Sequence, residues 1–184
     1  MRIFAGALFA LTAWAQSPGV LLVATPATRD TDFERTVIVL VEQDAHRATG
    51  LVLNRPAKIR LCEVFPDLSA PNVRNQAVWA GGPIFIGMNA LLRSKTRAPG
   101  GEKLVPGVLL ISGRAQIRAQ LASDTQPDSI RVYLGVCGWG AGQMESEIGR
   151  GLWRVLPGSA EAIFDAQPDS LWTRLTRTAA HRDH

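Results

Sequence analysis

The chain has few of the residues that build metal centres or disulfide frameworks: two cysteines and three histidines among 184 residues. Two cysteines exclude a disulfide-dense scaffold and lack the count for a four-ligand zinc site. Repeats, charge blocks and low-complexity segments are also missing, which excludes a coiled coil, a collagen and a disordered chain. With 46% hydrophobic and 20% charged residues, the composition is that of one globular domain. Seventeen glycines and 11 prolines favour a mixed fold with many turns over a helical bundle.

The charge of the chain is mildly basic, with 20 lysines and arginines against 16 acidic residues and a formal net charge of +4. The basic residues are spread along the sequence and form no cluster or stripe. Such a distribution indicates a solvated surface, so the charge does not predict a nucleic-acid partner.

The N-terminus has the composition of a signal peptide. Arg2 is followed by an uncharged apolar run over residues 3–12, and Ala13 and Ala15 stand at the two positions that a signal peptidase reads. We therefore expect cleavage after Ala15, a mature chain starting at Gln16, and a periplasmic or secreted protein. A membrane anchor is the alternative, but the apolar stretch is shorter than the roughly 18 to 20 residues that span a bilayer.

From residue 19 onward, apolar runs of strand length alternate with short amphipathic stretches. They predict strands at residues 19–24, 35–42, 49–54, 89–93, 107–111, 130–137 and 152–156, and helices after an N-cap at Ser112 and at 143–149, 159–166 and 168–178. No linker divides this pattern. It predicts one domain over residues 16–184, with its core at about 19–178 and a frayed C-terminal tail.

The most informative stretch reads as a strand, a glycine turn at residues 138–142 and a helix. This arrangement resembles a dinucleotide-binding turn, but Gln143 stands where the third glycine is needed, and Glu145 and Glu147 put negative charge where a phosphate would sit. Gln143 and Glu147 share one helix face, and Glu145 lies off it. A polar face beside Trp139 is typical of a pocket wall and equally of an ordinary surface.

Two further loops follow apolar strands, one with Asn54, Arg55 and Pro56 and one with Gly81, Gly82 and Pro83. We expect both to meet the turn at residues 138–143 at one edge of the sheet, because rigid scaffolds tend to present function on such loops. The Arg55 guanidinium could bind an anionic ligand or hold a loop through backbone carbonyls. The candidate ligand-binding residues are Asn54, Arg55, Pro56, Gly81, Gly82, Pro83, Trp139, Gly140, Gln143, Glu145 and Glu147.

The cysteines allow a disulfide. Export would place Cys62 and Cys137 in an oxidising compartment, where two thiols within reach pair, although two separate core thiols explain the sequence equally simply. No catalytic residue is identified, because His46 is the one histidine outside the tail and lies in a predicted hairpin loop. No metal site or cofactor is predicted either.

Five blocks in order resemble the YqgE/AlgH family. They read GVLLVATP at residues 19–26, DxxFxRTV at 30–37, GLVLNRP at 50–56, GGP at 81–83 and YxGxxGWGxGQMExEI at 133–148. The resemblance implies a compact α+β domain of coiled, bent β-sheet flanked by short helices. It implies little chemistry, because the family is largely uncharacterised, with a transcriptional-regulator label on some members. The leader is an addition to the family pattern.

These observations predict an exported binding or regulatory module whose partner is a small anionic ligand or a protein. One alternative is an enzyme acting on a small anionic substrate through Arg55 and Glu145 or Glu147. The other is a cytoplasmic transcriptional regulator, which requires that the leader is not a signal peptide, because a translocated protein cannot regulate transcription.

Overall fold

The computed structural model describes residues 17–96, 98–123 and 126–180, without the side chains of residues 127 and 178–180. The leader with its cleavage site and the tail from residue 181 lie outside these ranges. In the described part, no helix has the length and apolar character needed to cross a membrane.

The described residues form ten strands and six α-helices. The strands are β1 (Val20–Ala24), β2 (Val37–Gln43), β3 (Arg47–Val52), β4 (Pro56–Arg60), β5 (Ala77–Ala80), β6 (Ile84–Arg93), β7 (Gly101–Val105), β8 (Val108–Ser112), β9 (Ile130–Gly140) and β10 (Trp153–Pro157). The helices are α1 (Leu61–Val64), α2 (Pro71–Arg74), α3 (Arg114–Ala122), α4 (Gln143–Gly149), α5 (Ala160–Ile163) and α6 (Pro168–Ala180).

The strands form one curled, mainly antiparallel sheet in the order β10-β1-β2-β3-β9-β6-β8-β7, with β4 and β5 branching from it. The helices are short and flank the sheet. The predicted α+β class and the single compact domain of bent sheet with short helices are therefore confirmed.

The central strand β9 is shared between two parts of the sheet. Its residues 130–136 pair with β6, residues 133–134 also pair in parallel with β5, and residues 137–140 pair with β3. Gly135, at a φ of 74°, lies between the end of the β5 pairing and the start of the β3 pairing. The long strand thus pairs with β6 and β5 along its first part and with β3 along its last part.

The first two strands are buried on both faces, which explains their continuous apolar sequences. In β1, Leu21 and Val23 pack into a core cluster beneath α5 and α6, whereas Val20 and Leu22 pack into a second cluster on the other face, beneath α4. A third cluster lies under α1, α2 and α3. This layering places α4 and its acidic residues on the face opposite α6.

Several boundaries differ from the predictions. β9 runs on to Gly140, so the predicted glycine turn shrinks to Ala141 and Gly142. Ser112 ends β8 and donates to Asn89 Oδ1 at 2.8 Å, and Gly113 is the N-cap of α3 in its place. The sequence pattern did not predict β4, β7 or α2, which are short and partly exposed and therefore show no clear apolar period.

Candidate functional site

Arg55 lies on a small cleft together with the turn at residues 81–83. Its Nη2 donates to the carbonyl oxygens of Asp32 at 2.5 Å and Glu34 at 3.5 Å, which is the loop-holding role considered from the sequence. The cleft has a volume of about 190 Å³. Its walls are formed by Asp32, Phe33, Val52, Arg55, Ala80, Gly82 and Pro83.

Asn54 supports the same loop from inside the fold. Its Oδ1 accepts from the Val37 amide at 3.0 Å, and its Nδ2 donates to the Arg35 carbonyl at 2.9 Å. Pro56 starts β4 opposite Trp79. The side chain of Asn54 is thus used in tying the end of β3 to the start of β2, which leaves Arg55 as the polar side chain of this motif that faces the cleft.

The two glycines of the turn at residues 81–83 cross β9 at very close range. A Cβ on Gly81 would lie 2.2 Å from the Gly135 carbonyl oxygen, and a Cβ on Gly82 would lie 2.2 Å from the Val136 carbonyl carbon. The Gly81 amide donates to Leu134, and its carbonyl accepts from Val52. These glycines act as packing residues that bring the turn to the cleft.

Glu147 on α4 accepts hydrogen bonds from two buried indoles. Its Oε2 accepts from Trp139 Nε1 at 2.9 Å and Trp153 Nε1 at 2.8 Å, and its Oε1 accepts from Gln143 Nε2 at 3.0 Å. Burial alone would raise the pKa of the Glu147 carboxyl, but the bonds from Trp153, Trp139 and Gln143 outweigh that effect, with a smaller contribution from the charge of Arg150. The pKa therefore lies below its ordinary range, and the group is an ionised structural acceptor.

The other polar residues near α4 are also engaged within the fold. Gln143 Oε1 accepts from the Gly140 amide at 3.1 Å, which joins the end of β9 to the first turn of α4. Glu145 accepts from Gln43 Nε2 at 3.2 Å. The predicted sharing of a face by Gln143 and Glu147 is confirmed.

The structure brings together two of the three predicted loops, and it leaves the third apart from Gly140 onward, although Gly138 lies against Ile84. Gly140 pairs with Arg47 at the start of β3, whereas Arg55 follows the end of that strand, roughly 16 Å further along for the strand's rise per residue. Trp139 is buried in the cluster beneath α4. The expected meeting of all three loops at one edge is therefore wrong, because β9 continues in pairing with β3 where the turn was expected.

Rings fill the space between the cleft and Glu147. Phe33 lines the cleft and packs edge-on against Trp153, with ring centroids 5.8 Å apart, and Trp153 packs against Trp139 at 6.3 Å. Trp153 thus contacts the cleft wall on one side and the carboxylate on the other. Phe33 and Trp153 therefore lie between the cleft that Arg55 lines and the Glu147 carboxylate.

The two cysteines are free thiols in the structure, so the disulfide considered from the sequence is not formed. Cys62 is half-buried on α1, whereas Cys137 is fully buried in the cluster beneath α4. Burial raises the pKa of the Cys137 thiol to about 12, against the smaller opposing effect of the Arg55 charge. The structure thus has two separate thiols, the alternative to the disulfide, although only Cys137 is a core residue.

We expect the two thiols to differ strongly in reactivity. At mildly alkaline pH the buried Cys137 holds far less thiolate than an ordinary cysteine, so alkylation of the native protein should label Cys62 alone. Peptide mass spectrometry after iodoacetamide treatment measures this. In denaturant without reductant, both thiols should be labelled. If neither thiol is labelled under those conditions, the two cysteines form a disulfide after all.

A larger cleft lies where the sequence indicated none. Its volume is about 490 Å³, and it forms between β5, the start of β9 and the α5–α6 connection. The Arg131 guanidinium lies 4.1 Å from the centre of the Trp79 ring and donates to the Ile163 and Asp165 carbonyls. Arg131 stands between the apolar residues Ile130 and Val132 in a strand, and this position was the sequence signal for a half-buried cation. Its bonds to the end of α5 and to the α5–α6 connection are those of a packing residue.

No group of three or more histidine, cysteine or acidic side chains that could hold a metal ion is found among residues 17–96, 98–123 and 126–180. Asp30, Asp32 and Glu34, which alternate in the sequence, serve the loop itself. Glu34 Oε2 accepts from the Asp30 amide at 3.3 Å, and the Asp32 carbonyl accepts from Arg55.

Comparison with solved structures finds the same fold in two bacterial proteins. The solution structure of the AlgH protein from Pseudomonas aeruginosa is 26% identical, with a TM-score of 0.70 over 98% of this chain and 92% of that one. A crystal structure from Corynebacterium diphtheriae is 22% identical, with a TM-score of 0.75 over 96% of this chain and 94% of that one. At that identity the second match shows the fold alone.

Comparison of sequences agrees. A UPF0301 protein of Xanthomonas campestris pv. campestris strain B100 is 35% identical over 167 residues, covering 88% of this chain and 86% of the relative. A UPF0301 protein of Xylella fastidiosa strain M23 is 31% identical over 158 residues, covering 84% of each. The model of the family described as AlgH-like (DUF179) matches residues 21–182. The chain therefore belongs to the AlgH-like family.

Proposed function

We propose that this protein is an exported binding module that takes a small monoanionic carboxylate in the cleft beside Arg55. The observation that carries this proposal is the state of the guanidinium. Arg55 is fixed by two backbone bonds through Nη2, and within the described part of the chain no acidic side chain forms an ion pair with it. Its remaining N–H groups are available to an anion.

The geometry of the cleft supports a small ligand with an apolar portion. A guanidinium held in place loses little freedom on binding, and its planar donors suit a carboxylate. Phe33, Val52 and Pro83 supply apolar walls, and about 190 Å³ admits a molecule of few heavy atoms. Asp32 also lines the cleft, so a ligand with one negative charge is favoured over a dianion such as a phosphate.

The positions of the acidic residues support binding rather than catalysis. An enzyme built on Arg55 with Glu145 or Glu147 needs the carboxylate close to the bound substrate. Glu147 is instead held by two indoles behind Trp153, and Glu145 bonds to Gln43 at the opposite end of β3. The cleft thus holds a binding cation without a nearby general base from either candidate.

The ligand proposal is tested by amide NMR titration of the purified chain with isobutyrate and with inorganic phosphate. We expect saturable shifts at Ala80 and Gly82 with isobutyrate, weaker shifts with phosphate, and at least a tenfold loss of isobutyrate affinity in Arg55→Met. Arg177→Met, at an exposed arginine on α6, is the matched control and should bind normally.

Arg55 also holds a loop, so a second variant separates the two roles. Arg55→Lys keeps the charge and loses the fork, and it should retain binding weakened by less than the methionine variant. Isobutyrate shifts that never saturate, or that are equal in wild type and Arg55→Met, would contradict the proposed ligand site.

Export is the other part of the proposal and rests on Arg2, the apolar run at residues 3–12 and the small residues Ala13 and Ala15. Mass spectrometry of the protein from a cell-envelope or medium fraction should show Gln16 at the N-terminus. An Ala15→Asp variant should keep its leader. Intact Met1 in the cytoplasmic fraction would contradict export and support the regulator alternative.

A further inference from the structure

The most exposed large apolar side chains of the described chain lie together at the start of β6. Phe85 is 83% exposed, Ile86 is 66% exposed and Ile84 is 40% exposed. Single exposed apolar residues are common on proteins, whereas three in succession form an apolar patch of the kind that is often an interaction site.

The backbone holds these side chains outward. Ile84 pairs with Val136 of β9 and Met88 pairs with Leu134, so three residues on β6 lie opposite the single residue Gly135. Gly87 takes a φ of 67°, which favours glycine, and it completes the bulge. We call residues 84–87 the apolar bulge.

The outer edge of the bulge has no strand beside it in the part of the chain that the structure describes. β8 pairs with β6 only at residues 89–93, and the chain then turns at Gly113 into α3. An open edge of this kind is suited to pairing with another strand.

The sequence around the bulge carries no charge. Between Arg74 and Arg93 every residue is uncharged, and Arg93 itself is occupied at the far end of β6, where it lies 4.9 Å from the centre of the Phe164 ring and donates to Ala160. In an isologous contact the residues on the twofold axis meet their own copies, so the axis tolerates apolar residues and excludes like charges.

We propose that the apolar bulge is a self-association surface, through which two copies of this chain pair about a twofold axis. A second copy supplies the two things that the bulge lacks, an apolar counterpart for Phe85 and Ile86 and a strand edge free to pair. A lipid surface would favour cations near the apolar side chains, and the absence of charge in residues 75–92 favours the protein partner.

The size of the patch sets the strength of the dimer. The three apolar side chains offer roughly 350 Å² per copy, against about 800 Å² per partner in a standard interface. The association is therefore weak and reversible, with a dissociation constant between about 10 μM and 1 mM. Because the chain is net positive, salt should tighten the dimer, whereas it would loosen binding to an anionic membrane.

Sedimentation equilibrium of the purified chain over a concentration series tests the proposal. The mean mass should rise towards twice the monomer mass near 1 mM, and Phe85→Ser with Ile86→Ser should abolish the rise. Ile59→Ser is the matched control, because Ile59 is an apolar residue 40% exposed on β4, away from the bulge. Its self-association should equal that of the wild type.

A charge-swap experiment tests the twofold geometry. Phe85→Asp and Phe85→Lys should each be monomeric, and an equimolar mixture should form a heterodimer because opposite charges then face each other. A wild-type chain that stays monomeric at 1 mM would overturn the proposal. So would a dimer that survives the double serine variant, or a monomer that binds anionic phosphatidylglycerol vesicles through Phe85.

Discussion

Replacing Glu147 with alanine is expected to lower the free energy of unfolding by about 3 kcal/mol. The variant leaves the indole N–H groups of Trp139 and Trp153 without their common acceptor in a region where both rings are buried, and each unpaired buried donor costs about 1 to 3 kcal/mol. Urea unfolding followed by tryptophan fluorescence measures the loss.

Glu145→Ala is the matched control for this effect. Glu145 stands two residues earlier on α4 and accepts one bond of 3.2 Å from Gln43, so its removal should cost less than about 1 kcal/mol. Glu147→Gln keeps an acceptor but loses the charge, so its loss of unfolding free energy should lie between those of Glu147→Ala and Glu145→Ala. Equal stability of the Glu145 and Glu147 alanine variants would contradict the structural role of the double indole contact.

The same contact has a defined pH dependence. The pKa of Glu147 is lowered in the folded state, so the stability that it contributes is present above the unfolded pKa and is lost as the pH falls through the folded one. The difference in unfolding free energy between wild type and Glu147→Gln should be constant near neutral pH and shrink below about pH 4.5. A constant difference throughout would contradict it.

The second large effect is expected at Gly82. In Gly82→Ala the new Cβ would lie 2.2 Å from the Val136 carbonyl carbon and 2.3 Å from the Cys137 amide nitrogen, and backbone atoms in a central strand cannot move aside. We expect a loss of at least about 4 kcal/mol, which is most of the stability of many domains. Yield of soluble protein and urea unfolding give the measurement.

Two other glycines calibrate this prediction. A Cβ on Gly138 would meet only the flexible end of the Ile84 side chain at 2.8 Å, so Gly138→Ala should cost about 1 kcal/mol. Gly149, at the end of α4, has nothing within 4 Å, and its alanine variant should be neutral or slightly stabilising. A stable Gly82→Ala would show that the turn can retreat from β9.

Sequence patterns predicted the parts of this fold whose residues are buried on a regular period. The continuous apolar runs gave the positions of β1 and β2, which are covered on both faces, and the bounds of α4 agree with the predicted 143–149. The partly exposed β4 and β7 have no such period, since their places are set by pairing with β5 and β8. The local sequence of a strand does not determine which other strand it will pair with.

The candidate site likewise has one part that the sequence predicted and one part that it did not. That Arg55 could bond to carbonyls follows from its chemistry, and it does so. Trp139 reaches Glu147 because β9 continues past Cys137. β9 continues because it pairs with β3, a strand that lies far away in sequence, so the local sequence could not predict this contact. A run of glycines was interpreted as a turn because glycine serves turns and close strand packing equally well.

The placement of β9 also bears on how the chain reaches its fold. β1, β2 and β3 are synthesised first, but the strands on either side of them, β10 and β9, are synthesised last. Gly50 of β3 pairs with Cys137, and Val20 of β1 pairs with Pro157. Contacts this distant in sequence slow folding, because a long loop must close before any pairing offsets its entropy. A nascent chain therefore holds β1, β2 and β3 as an incomplete sheet until its C-terminal third has been synthesised. Since we propose export for this chain, the delay would leave it in the incompletely folded state that a translocase can thread.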